Sequence, residues 1–181
     1  MTQPLPFKLR AMYALTDIIK EVTPANGYRF DMADFVDGDG VTVPRVYRGR
    51  AWFGDSDPIP MVSILEGANP FDITEEAPMD TAAAEYDWNL SVQVFVDDDK
   101  LHPTDPAYLL LDDIRKRLVL ERRRKMPGTH QPDPLGLGAG KSRIYDLRVR
   151  PGVVRPADDI SSKAYGWLTV TLRIVDNAEA G

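Results

Sequence analysis

The clearest alternation of apolar and polar positions in the chain lies between Trp88 and Arg124, WNLSVQVFVDDDKLHPTDPAYLLLDDIRKRLVLERRR. Trp88, Leu90, Val92, Val94 and Val96 alternate with Asn89, Ser91 and Gln93, the period of a strand with one buried face. Phe95 interrupts the polar set and predicts partial cover on the second face as well. Asp97, Asp98 and Asp99 end the strand, because adjacent carboxylates repel one another and pair poorly in a sheet. Asp105 as N-cap, with Pro106 behind it, then opens a helix. Ala107, Leu110, Leu111, Ile114 and Leu118 give that helix one apolar face. Its early Asp112 and Asp113 and its late Arg122 to Lys125 suit the helix dipole.

The same reading extends outward. Leu9, Met12, Leu15, Ile18 or Ile19 and Val22 predict a first helix from about Pro6 to Val22, ended by Thr23-Pro24. Tyr28 to Val36 and Val43 to Phe53 read as two strands of a hairpin around the turn Asp37-Gly38-Asp39-Gly40. That turn is no calcium loop, since Val41, Thr42 and Arg48 stand where oxygen, glycine and glutamate are required. Pro60 to Leu65 and Arg143 to Arg150 read as further strands, with Pro151-Gly152 and Pro156 interrupting the chain beyond. From Ala164 to Asp176, Leu168, Val170, Leu172 and Ile174 form one face, and Tyr165, Trp167, Thr169, Thr171 and Arg173 the other. Its length and alternation predict antiparallel pairing with the Trp88 strand at the sheet centre. Stretches 67–86 and 126–142 have no consistent period and are expected to be long loops. The fold class that follows is α+β: one domain over residues 1–181, with a mostly antiparallel sheet and two main helices on one face.

Composition narrows the chemistry. With 181 residues and 43% apolar content the chain can build a real core. No stretch resembles a transmembrane span, and MTQPLPFKLR lacks the apolar region of a signal peptide, so a soluble protein, intracellular when made, is expected. The absence of cysteine excludes disulfides, a thiolate nucleophile and zinc-thiolate sites. A net charge of -6 argues against a generic nucleic-acid binder. The charge is uneven: nine acidic residues and no Lys or Arg lie between Asp72 and Asp99, and seven basic residues against Glu121 alone lie between Arg115 and Lys125. Solvated faces explain most such runs; opposite-signed surfaces meeting in a head-to-tail assembly are the alternative.

Catalytic, cofactor and metal sites find no support. Asp97, Asp98 and Asp99 with His102 imitate a metal site, but neighbouring strand side chains point to opposite faces, so a solvated strand end is the reading. His130 has no base or nucleophile near it in sequence, and Ser56, Ser63 and Ser91 lack a nucleophile-elbow pattern. Gly136 to Ser142, GLGAGKS, approaches a phosphate-binding loop, yet Leu135 stands where the first glycine belongs. Pro-rich sequence precedes the segment and a strand follows it, the wrong context for that motif. The chain reads as a binding or building part, not an enzyme.

Four stretches carry a family likeness: ALTDIIKEVTPANGY (Ala14 to Tyr28), RGRAWFGDSDPIPMVSILEG (Arg48 to Gly67), the block from Trp88 to Leu118, and YGWLTVTLRIVD (Tyr165 to Asp176). Together they resemble the tail terminator proteins of tailed bacteriophages, and the order of elements covers most of the chain. The resemblance implies a structural virion protein, assembled in the bacterial host cytoplasm as a homohexameric ring. Such a ring caps the tail tube, ends its polymerisation and presents a surface for head-tail joining. It implies partners in the tail tube protein and the head-tail connector, passage of genomic DNA through the ring, no membrane and no cofactor. A neck or head-completion protein of the same particle is the alternative, and a small nucleotide-binding enzyme a more distant one. Composition, rather than the family likeness, points to Arg122, Arg123, Arg124, Lys125 and Lys141, and to Asp72, Glu75 and Glu76, as residues at an assembly interface or facing a channel.

Overall fold

The computed structural model describes residues 5–51, 53–54, 57–67, 83–158 and 161–177. Two helices, α1 (Phe7–Lys20) and α2 (Asp105–Arg122), cover one face of a sheet. The strands in chain order are β1 (Phe35–Val36), β2 (Thr42–Val43), β3 (Val46–Arg48), β4 (Met61–Glu66), β5 (Ala83–Val96), β6 (Arg143–Val149), β7 (Val153–Arg155) and β8 (Ala164–Asn177). Among the described residues β1 and β2 pair only with each other. The main sheet runs β3-β4-β5-β8-β6, with β7 joining β8 beyond the end of β6, and β3 to β4 is its one parallel pair. The class is therefore α+β with a mostly antiparallel sheet, as the sequence predicts.

β5 and β8 are each fourteen residues long and pair antiparallel from Ala83↔Asn177 to Val96↔Ala164. Their alternation places Leu90, Val92 and Val94 on the same face as Leu168, Val170 and Leu172. Leu15 and Ile19 of α1, and Leu110, Ile114 and Leu118 of α2, close over that face in one core. Burying each such side chain contributes about 1.5–3 kcal/mol, which sets the helices on this side of the sheet.

Several boundaries differ from the sequence reading. Tyr28 to Phe30 is not a strand. The Arg29 N–H donates to the buried Asp113 carboxylate at 2.7 Å, and the Met32 N–H donates to the Val22 carbonyl at 2.8 Å, so this segment lies against the helices. β1 and β2 shrink to two residues each around the expected Asp37 turn, whose side chain accepts the Asp39 and Val41 N–H groups. Pro44 separates β2 from β3, and β3 stops at Arg48, well short of Phe53. β5 begins at Ala83, inside the stretch expected to be loop, because its outer half is paired to the end of β8. β7 forms between the interrupting prolines. Asp105 is the first residue of α2 rather than its cap, and Thr104 precedes it without a capping side-chain bond.

Candidate assembly surface

With both helices on one side, the opposite sheet face carries no helix among the described residues. At one end of this open face an aromatic row crosses the strands. Tyr47, Phe53, Phe95, Tyr165 and Trp167 follow one another at ring-centroid distances of 6.4, 4.3, 6.2 and 6.3 Å. The Arg50 guanidinium lies over Tyr47 and Phe53 and is held by Asp57 at 2.6 Å. Stacking and cation-π contact fix these rings without a helix to pack them. The other end is ionic: Arg148 binds Asp87 at 2.9 Å, Arg173 binds Glu85 at 2.8 Å, and the Thr171 hydroxyl donates to Asn89 at 2.7 Å. Glu85 and Asp87, in the outer half of β5, are thus engaged in cross-strand pairs.

The basic end of α2 divides into two kinds of residue. Arg124 is structural: its guanidinium donates to Glu121 at 3.1 Å, stands 3.5 Å from Asp133, and lies against Gly136. Arg122 reaches Asp146 of β6 at 3.4 Å. The exposed side chains of Arg123 and Lys125 make no hydrogen bond or ion pair with described residues, and the same holds for Lys141 just before β6. Asp72, Glu75 and Glu76 lie outside the described residues.

Glu121, 4% exposed, explains this division. It accepts two bonds from Arg117, one from Arg124 and one from the Leu135 N–H at 3.1 Å. Asp133, also buried, accepts the Gly138 N–H at 2.9 Å, and the Ile144 N–H donates to the Leu137 carbonyl. A Cβ at Gly138 would stand 2.3 Å from the Pro132 carbonyl oxygen, so only glycine fits there. Stretch 126–142 is consequently a pinned loop with a short 3-10 turn at Pro134–Gly136. Its path places Lys141 before a strand rather than a helix. The signal for this site is in the sequence: Glu121 is the single acid within a run of seven bases.

The three aspartates after β5 also have local work. Asp97 pairs with Lys163 at 3.3 Å, Asp98 accepts the Ala164 N–H, and Asp99 accepts the Leu101 and His102 N–H groups at 2.8 Å. Among the described residues no cluster of His, Asp and Glu is arranged to hold a metal. Backbone N–H donation holds the Asp99 carboxyl below the usual carboxylate range; at Asp57 the Gly54 N–H and then Arg50 do so, and at Asp112 Lys116 and then Arg29. Glu85 is lowered by the Tyr145 hydroxyl and by Arg173.

A carboxyl whose folded pKa is lowered binds protons later than it does unfolded. The stability it supplies is therefore full above the ordinary carboxylate pKa, about 4, and is lost as pH falls through the lowered value. Urea midpoints should hold from neutral pH down to about 4 and then drop, with a shallower drop for Asp57→Asn. An identical acid limb in that variant would remove Asp57 from the account. Tyr86 shows the opposite case, pushed up to about 12 by burial and by the neighbouring Asp176 carboxylate. Its contribution is present below about pH 10 and is lost as pH rises from there towards 12.

No family model matches the chain, and no curated protein matches it.

Proposed function

We propose that this chain is a ring-forming structural subunit of a tailed bacteriophage, a tail terminator that caps the tail tube, ends its polymerisation and offers the surface joining tail to head. The observation that carries the reading is the one-sided sheet, whose open face joins an aromatic row to a set of ion pairs. Aromatic rings and arginines of this kind supply the anchors of protein interfaces. The resemblance of the chain to tail terminators supplies the particle and the ring of six.

The mechanism is steric and stoichiometric. One side of the ring binds the last ring of tube protein, and the other offers no site for a further tube subunit and is free for the head-tail connector. Arg123 and Lys125, whose side chains have no partner among the described residues, stand at subunit contacts or face the channel. In a channel they would hold passing DNA through its phosphates, an interaction that weakens as salt rises.

Native mass measurement, together with electron microscopy of polymerising tube protein, tests the reading. A homohexamer and tubes of limited length are expected. A strict monomer at high concentration that leaves tube length unchanged would sink it. Replacing Arg123 and Lys125 together by Glu should weaken assembly or tube capping and change its salt dependence while leaving the melting temperature near that of the wild type. Arg124→Glu should instead lower the melting temperature, because that side chain is committed to Glu121 and Asp133.

A further inference from the structure

We propose that the outer edge of β6 takes up the β1–β2 hairpin of a second copy of this chain, which adds to the sheet as a further strand. The inference rests on the ring-forming reading and specifies the contact through which neighbours would join.

The hydrogen-bond inventory of β6 defines the site. Near its start the Ile144 N–H points away from the sheet and is taken by the Leu137 carbonyl at 2.7 Å. At the far end the Arg150 N–H points inward to the Thr169 carbonyl at 2.9 Å. Antiparallel alternation along the register Arg148↔Thr171, Val149↔Val170 then turns the backbone groups of Leu147 and Val149 outward. Outward strand groups are a template for another chain unless something covers them. Among the described residues the cover is slight: Arg122, from the helix side, reaches round the edge to Asp146, which shares the open face with Arg173, in a half-exposed pair at 3.4 Å. Pairs of that kind contribute little to stability.

Charge selects the occupant. The open stretch of β6 is flanked by Lys141, Arg143 and Arg150, all exposed. The opposite sheet edge, β3, ends on Arg48 and is flanked by Arg45 and Arg50, so edge-to-edge pairing of two copies sets like charges against each other. The β1–β2 hairpin has the complementary character. The hairpin and the segment leading into it, residues 31–41, contain Asp31, Asp34, Asp37 and Asp39 and no Lys or Arg; Asp34 is paired with Lys20 at 2.7 Å, so the charge without an ion pair among the described residues is that of Asp31, Asp37 and Asp39, and Val36 and Val41 are 65% and 58% exposed. The Asp37 N–H donates to the Val41 carbonyl at 3.0 Å, so by the same alternation Val36 turns its own N–H and carbonyl away from β2. The hairpin stands beside β3, where the Arg45 guanidinium covers Phe35 at 4.4 Å. One copy thus offers an acidic strand at one edge of its sheet and a basic, open edge at the other. That is the polarity of a heterologous contact, the kind that closes into rings.

Sedimentation and native mass measurement of the full chain test the contact with three single variants and one double. Val149→Pro removes an outward N–H and no bond to β8, which an edge strand tolerates. Arg150→Asp and Asp39→Arg each reverse one side of the charge match. Each single variant should keep the wild-type circular dichroism and raise the concentration needed for assembly by about tenfold or more, and Asp39→Arg with Arg150→Asp should assemble better than either alone. If Val149→Pro does not fold, the two charge variants and their combination decide. A wild type that assembles, with Arg150→Asp and Asp39→Arg assembling equally well, overturns the hairpin contact and leaves the ring reading standing. A wild type that never assembles overturns both.

Discussion

Glu121→Ala should lower stability by about 1–3 kcal/mol, because it leaves the Leu135 N–H without its acceptor and takes from the Arg117 guanidinium, 13% exposed, its buried partner, while Glu21 at 2.7 Å still pairs the Arg117 charge. At this chain length that loss is about 2–12 °C in melting temperature. The same substitution releases the Leu135 N–H and the Arg124 side chain, so hydrogen exchange over residues 126–142 should rise far more than over β5 and β8. Glu121→Gln keeps the shape and some of the bonds and should fall between Ala and the wild type. Exchange in the loop that is unchanged in Glu121→Ala would show that Asp133 and Gly138 alone hold it.

Leu90→Ala is the second large effect expected. Leu90 is fully buried at the middle of the sheet, opposite Val170 on one side and Glu66 on the other, and its side chain lies in the core formed with the helices. Removing three carbons there costs about 2–5 kcal/mol, the spread depending on how far the neighbours close the cavity. Leu120→Ala, at a position 55% exposed on α2, is the matched control and should change stability by less than about 0.5 kcal/mol. Denaturant midpoints for the two variants check the contrast, and equal losses would contradict the one-sided core.

The parts of the fold that were legible in the sequence are those whose pattern is local. β5, β8 and both helices announce their periods because each buries one face, and the β5–β8 pairing follows from their matching length. Tyr28 to Phe30 misleads for the opposite reason. The segment has strand-forming residues, but its backbone is held by Asp113, eighty-four positions away, and no local pattern encodes that contact. β7 is hidden by its flanking prolines, and the outer half of β5 by its acidic residues. Charge was the weakest guide to the candidate surface. A run of seven bases reads as one patch, yet Arg117 and Arg124 point to Glu121 while Arg123 and Lys125 face water.

The β5–β8 ladder also sets a timetable for synthesis. β5 ends at Val96 and β8 begins at Ala164, so the two central strands are parted by 67 residues that leave the ribosome between them. At about 5–20 residues per second, β5 waits on the order of 3–13 s with only β4 to pair with. Through that interval its alternating apolar face must be covered by α1 and then α2, which precede β8 in the chain. The three aspartates that end β5 keep the waiting strand charged at its tip until Ala164 arrives to bond Asp98.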